Sequence, residues 1–254
     1  MKALSLGWGV QSFTLAAMSA LGELEPLDVA IHADTTHERQ ATYEFAERWM
    51  PWLEEWGVRV VTVKNVASEL GQKIASDGRS VVDIPAFTIS DSGNGQIRRQ
   101  CTDDWKIAPM RRWIQANRNS EHIEQWLGIS LDEVQRMRPS GVKYLTNRWP
   151  LIELRMTRQD CILWLQRHGL EVPQKSACVF CPYHNRRAWY DMKAEDGNDW
   201  RKACEIDDAI RKARPPYDLF VHSDRVPLRD IRSPQDNGQL EMALDVCDSG
   251  YCWT

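Results

Sequence analysis

After the N-terminal stretch no run of about 18 uncharged residues occurs in the 254-residue sequence, so no later segment is expected to cross a membrane as a helix. The apolar N-terminal stretch is broken by Gly7, Gly9, Gln11 and Ser12, which argues against a cleaved leader; a cytoplasmic protein is expected. Internal repeats and low-complexity tracts are also missing. The charge balance is nearly even, at −4, which speaks against a large nucleic-acid footprint, although Arg98–Arg99, Arg111–Arg112 and Arg186–Arg187 form local basic patches. Neither GxxxxGK[ST] nor GxGxxG is present, which excludes Walker-type kinases and the usual dinucleotide fingerprint. The seven cysteines cannot all pair internally, and in a reducing compartment a CxxC points to metal or redox chemistry before a structural bridge.

With 43% hydrophobic and 27% charged residues, the chain has the composition of a globular protein able to bury a core. "KALSL" predicts a first strand, followed by a glycine turn and the helix "QSFTLAAMSAL". Leu27–Asp34 predicts a second strand, and "TYEFAERWMPWLEEW" a helix that Pro51 should kink or split. Val58–Val63 predicts a third strand. Alternation at this spacing implies a doubly wound, mainly parallel α/β sheet, which binds ligands at the carboxyl ends of its strands. The glycine turn and Asp34 should then face one crevice.

Residues 77–100 read as a long loop, and the segment from Thr102 as a helix bent by Pro109. "IEQWLGIS" predicts a fourth strand; Ser130 with Glu133, and Thr157 with Asp160, read as helix caps. Gly169 should close the second of those helices, and two further helices are expected over 185–194 and 198–213. Cys161 and Cys204 read as buried thiols, and most of the twelve Trp residues as core rather than as base-stacking groups.

Three stretches carry chemistry. In "SLGWGVQS", Ser5–Ser12, strand, glycines and helix N-terminus together make a phosphate cradle. In "RRQCTDDWKIAPMRR", Arg98, Arg99 and Lys106 bracket Cys101, a field that favours a thiolate and suits phosphate. "SACVFCPYHN" holds Cys178 and Cys181 at CxxC spacing, open to a disulfide, a zinc ion or an iron–sulfur cluster. The tail "CDSGYC" adds Cys247 and Cys252, on a segment able to shuttle sulfur or reducing equivalents.

"GWGVQS" resembles the SGGxDS loop of the PP-loop N-type ATP pyrophosphatases: Gly9 and Ser12 match, while Gly7, Trp8 and Gln11 depart from it, with Ser5 the candidate for the displaced hydroxyl. The Cys101 stretch, "LGISLDEVQRMRPS", "RWPLIELRMTRQDCILWL" and "KSACVFCPY" are similar to bacterial and phage phosphoadenosine-phosphosulfate-reductase-like proteins, also called adenine nucleotide alpha hydrolases. The resemblance covers nearly the whole chain. It implies a PP-loop domain over residues 1–150 and a helical region over 151–254. ATP would bind over Ser5, Gly7, Gly9, Gln11 and Ser12, with Gly128, Arg99 and Lys106 contributing. Asp34 would stand near the nucleotide or its Mg2+ as a catalytic residue, and Arg136 and Arg138 would compensate for the Arg that often follows Gly128 in such loops.

The resemblance also implies a [4Fe–4S] cluster on Cys101, Cys178, Cys181 and Cys247, with zinc the alternative and His184 close by. Cys252 would be the catalytic thiol of the tail. The implied reaction is adenylation of an acceptor with release of pyrophosphate, then sulfur insertion; a nucleic-acid acceptor and a sulfur or electron donor protein are the implied partners. A sulfonucleotide reductase with Cys252 as nucleophile is one alternative. A non-catalytic nucleotide-binding subunit of a defence or modification complex, suggested by Gln11, is the other.

Overall fold

The computed structural model describes residues 1–65, 84–91, 93–97, 101–119 and 121–232. Its main sheet has five parallel strands: β1 (Lys2–Ser5), β2 (Val29–Asp34), β3 (Val60–Lys64), β6 (Ile123–Trp126) and β7 (Leu145–Arg148), in the order β3-β2-β1-β6-β7. The parity of the strands explains the two cores. Ala3, Val29, Ile31, Ala33 and Ile123 face one side, where they meet Met110 and Ile114 of helix α3 (Ala108–Asn117). Leu4, Leu6, Ala30, Val60 and Trp126 face the other, covered by α1 (Val10–Ala20), α2 (Gln40–Glu55) and, after the single turn α4 (Pro150–Glu153), α5 (Arg158–Arg167). Every residue of β2 is buried, as a strand covered on both faces requires, whereas the edge strand β3 is half exposed. The doubly wound α/β sheet expected from the sequence is therefore present.

Strand order places the site. The chain runs from central β1 outward through β2 and β3, then returns to lay β6 on the other flank of β1. The direction of winding reverses there, and a crevice at the carboxyl edge is bordered by the loops after β1 and β6.

A second layer stands beside this sheet. β4 (Phe87–Ser90), β5 (Gly93–Gln96) and β8 (Asp218–Phe220) form an antiparallel sheet in the order β5-β4-β8. It shares a core with α6 (Arg186–Glu195) and α7 (Asn198–Ile210), including Val179 and Phe180 from the CxxC loop. The expected loop over 77–100 thus contains a hairpin. The hairpin gains its inner strand pairing from residues more than a hundred positions away, and the Arg225 guanidinium donates to the carbonyls of Thr88 and Gly95.

Helix α2 continues through Pro51 without splitting. Near Pro109 the chain forms a π-helical turn, Asp103–Ile107, and then enters α3 with Pro109 in its first turn, where a missing N–H costs nothing. Thr157 and Asp160 make the expected reciprocal cap, and Gly169 closes α5 at φ +66°. Ser130 and Glu133 do not form a cap: Leu131–Arg136 is a 3-10 turn, and the Glu133 carboxylate is drawn to Arg136 instead.

Candidate functional site

Beyond β1 the chain passes through Leu6, whose N–H still donates to the Ile31 carbonyl, and turns sharply over residues 7–9. Trp8 takes the left-handed region at φ +57°, a cost of about 1–2 kcal/mol for a residue with a Cβ. Its indole is driven back into the core, edge-on to Phe45 and His32, and that burial offsets the strain. The turn is locked by Gly7 N–H donating to Ser12 Oγ at 3.2 Å and Ser12 Oγ donating to the Gly9 carbonyl at 3.3 Å. Gly9 is the N-cap of α1, so the amides of Val10, Gln11 and Ser12 have no acceptor within the helix. A Cβ on Gly128, in the loop after β6, would lie 2.8 Å from Ser12 N and 3.0 Å from Ser12 Cα, so only glycine lets the two loops approach this closely.

These loops border a cleft of ≈320 Å³ at the switch point, a size suited to a small-molecule ligand. Ser5, Gly7, Gly9, Gln11, Ser12 and Gly128 all line it. So do five cationic side chains, Arg111, Arg136, Arg138, Arg158 and Lys175, against a single carboxylate among the described residues, Glu133. Ile107, Met110, Leu127, Ile129 and Leu145 supply an apolar wall. Ser5 is turned to Met110, with its hydroxyl 3.7 Å from the sulfur.

Glu133, expected only as a cap, and Arg136, expected only to compensate for a missing Arg, organise the cleft. The pair is buried with N–O 2.7 Å, and Gln11 Nε2 donates to Glu133 Oε2 at 3.3 Å and to Ser130 Oγ at 3.4 Å. Burial lifts the Glu133 pKa above the ordinary carboxylate value although Arg136 opposes it. Arg136 Nε is buried with no hydrogen-bond partner, a donor left over for an anion. Gln11, a donor where the resembled loop carries an acid, is compatible with a carboxylate beside it; an Asp there would repel Glu133.

A second constellation lies at the end of β2. Asp34 does not line the cleft. Its Oδ1 accepts from Thr36 N–H at 2.7 Å and Tyr43 OH at 2.8 Å, and its Oδ2 pairs with Lys64 at 3.0 Å. Burial works to raise its pKa, but these donors outweigh it and hold the carboxyl below the usual range. Lys106 donates to Glu38 Oε1 at 3.1 Å rather than lining the cleft. Glu38 is buried, its Oε2 has no partner, and its backbone forms a bridge with Cys178.

The Cys178 thiol sits 3.2 Å from Thr35 Oγ1 and 4.0 Å from Glu38 Oε1. Burial and then Glu38 push its pKa up against Lys106, and Cys101 and Cys178 pack against the same core. Cys181 follows in a tight turn, its N–H donating to the Cys178 carbonyl at 3.0 Å. His184 contacts the Cys178 carbonyl through Nε2 at 2.9 Å, and burial brings its pKa down to about 4. Among the described residues no group of three or more His, Cys, Asp or Glu side chains is arranged to hold a metal ion. Cys101, Cys178 and Cys181 are three of the four cysteines that the resemblance implies for a cluster. Arg98, Arg99, Cys247 and Cys252 lie outside the described residues. Cys161 and Cys204 are buried, and burial pushes their pKa values up to about 12 and about 11. Trp8, Trp105, Trp126, Trp164, Trp189 and Trp200 are core residues.

Sheet order and cleft together define an α/β protein with an anion-seeking pocket at its switch point. No protein-family model matches the chain, and no curated protein matches it. Several solved structures are similar to it, these two among them. One is phosphoadenylyl-sulfate (PAPS) reductase from Candida auris in its phosphate complex, 12% identical over 68% of this chain and 74% of that one, with TM-score 0.48. The other is the U34-tRNA thiolase NcsA from Methanococcus maripaludis with its [4Fe–4S] cluster, 13% identical over 91% of this chain and 73% of that one, with TM-score 0.45. Likeness at this level assigns no role to any residue here. No helix among the described residues is long and apolar enough to cross a membrane.

Proposed function

We propose that the chain is an enzyme that binds ATP in the switch-point cleft and transfers its adenylyl group to an acceptor oxygen, as the activating step of a sulfur transfer. The observation that carries this reading is the cleft itself, whose lining combines free helix amides at Val10–Ser12, five cations and an apolar wall. The amides and the α1 dipole suit phosphate, Arg136 Nε offers a directed donor, and the Met110, Ile129 and Leu145 side accepts a flat base. Residues before position 150 form most of the cleft, and Arg158 and Lys175 reach it from the later part of the chain.

In the activating step the acceptor oxygen attacks the α-phosphorus. The bond to the bridging oxygen breaks, and pyrophosphate leaves with the electron pair. Preorganised amides and guanidinium groups stabilise the charge that develops. Hydrosulfide, supplied by an external donor, then attacks the activated carbon; a C–S bond forms, the C–O bond breaks and AMP departs. Magnesium would enter with the phosphates, and Glu133 is the carboxylate in the cleft able to share it. Asp34, fully engaged by Thr36, Tyr43 and Lys64, sets the turn that carries Glu38.

The test is to incubate the protein with ATP, hydrosulfide and candidate acceptors, tRNA among them, and to separate the nucleotide products. AMP and pyrophosphate support the reading; ADP and phosphate contradict it. The excess of cations in the cleft suits a sulfonucleotide as well. Release of sulfite from an adenylyl sulfate without ATP would move the assignment to a reductase, and ATP binding without turnover would move it to a binding subunit.

A further inference from the structure

The segment Lys175–Val179 joins the two constellations. Lys175 and Ser176 line the cleft, and Ser176 Oγ lies 2.9 Å from where a Cβ of Gly9 would stand, so this hydroxyl directly faces the phosphate-loop glycine. Beyond Ser176 the backbone is clamped: Arg39 N–H donates to the Ala177 carbonyl at 3.2 Å, Val179 N–H donates to the His37 carbonyl at 2.8 Å, and Cys178 bridges Glu38.

We propose that Lys175 and Ser176 contact the polyphosphate of the bound nucleotide, closing the cleft beside the α1 N-terminus. This rests on the nucleotide reading above and adds to it the residues that tell a phosphorylated nucleotide from its nucleoside. A hydroxyl facing Gly9 donates to the same oxygens as the helix amides, and an ammonium beside it neutralises charge that the amides cannot. Because Cys178 follows two residues later on a pinned segment, phosphate contacts made by Lys175 and Ser176 also fix where that thiol stands relative to the nucleotide. Lys175 and Ser176 are positioning residues in this sense.

The experiment compares wild type, Lys175→Met, Ser176→Ala and Ser176→Thr, with exposed Lys202→Met as control, by calorimetric titration of ATP and of adenosine. Lys175→Met should weaken ATP at least about tenfold, the loss of a charge-assisted contact, and leave adenosine unchanged. Ser176→Ala should weaken ATP by about threefold to tenfold, and Ser176→Thr, which keeps the hydroxyl, should restore most of it. Lys202→Met should behave as wild type. ATP should also slow deuterium exchange at the 175–179 backbone of the wild type, and do so in Lys175→Met only at proportionately higher concentration. Equal losses for ATP and adenosine, or none for either, would overturn the inference. A wild type that binds no ATP would overturn the nucleotide reading itself.

Discussion

Replacing Gly128 by Ala adds one methyl group at the point where the loop after β6 meets the first turn of α1. The new Cβ would stand 2.8 Å from Ser12 N, 3.0 Å from Ser12 Cα and 3.1 Å from Gln11 C. All three are backbone atoms near the start of a buried helix, so no side chain can rotate away and the loops must separate by several tenths of an ångström. Overpacking of this kind costs about 1–3 kcal/mol. For a chain of this length each kcal/mol lowers Tm by about 2–4 °C, so a fall of about 2–12 °C is expected. Two other glycines calibrate the result. Gly9→Ala meets only the Ser176 hydroxyl, at 2.9 Å, which can turn aside. Gly141→Ala meets nothing within 4 Å. Calorimetry should therefore rank Gly128→Ala well below both in stability, and ATP titration should find Gly128→Ala weakened, because the α1 amides and the β6 loop no longer share one wall. A Gly128→Ala protein as stable as Gly141→Ala, with unchanged ATP affinity, would refute the account of how the cleft is assembled.

Other outcomes follow from the same geometry. Glu133→Ala leaves Arg136 buried without its counter-ion, which costs about 3–5 kcal/mol, whereas Glu54→Ala, on the exposed face of α2, should cost little; equal melting of the two variants would contradict the buried pair. Asp34 has a folded pKa below its unfolded value, so its contribution is fully present above about pH 4 and is lost as pH falls through the folded value. The Tm difference between wild type and Asp34→Asn should accordingly narrow from pH 7 to pH 2, and a difference independent of pH would remove the donor set from the argument.

The first three strands and their helices could be read from local pattern, because "VAIHAD" is buried throughout and α1 opens directly after a glycine turn. β7 and β8 escaped notice as short strands of four and three residues. β5, the exposed "GNGQ", has no alternation and few β-formers; it forms because β4 offers it an edge. In the site, the glycines and Ser12 were legible because close backbone approach leaves a residue-type signature. Pairings across the fold were not. Gln11 and Glu133 are 122 residues apart and Cys178 and Glu38 140 apart, and no local pattern marks either meeting. Lys106, read beside Cys101 as a phosphate group, was instead claimed by Glu38, since a buried carboxylate draws the nearest cation. Asp34 was read toward the crevice, but the turn at Thr36, φ +63°, folds its carboxylate onto the backbone.

The central claim is that a nucleotide's phosphates lie against the Ser5–Ser12 loop. It is tested most directly by titrating ATP into wild type, Gly9→Val and the control Gly141→Val, each first shown to be folded by its melting curve. The account predicts saturable binding at one site per chain for wild type and Gly141→Val, weakened at least about tenfold in Gly9→Val, where the added side chain fills the space between the loop and Ser176. ATP affinity unchanged by Gly9→Val would contradict it.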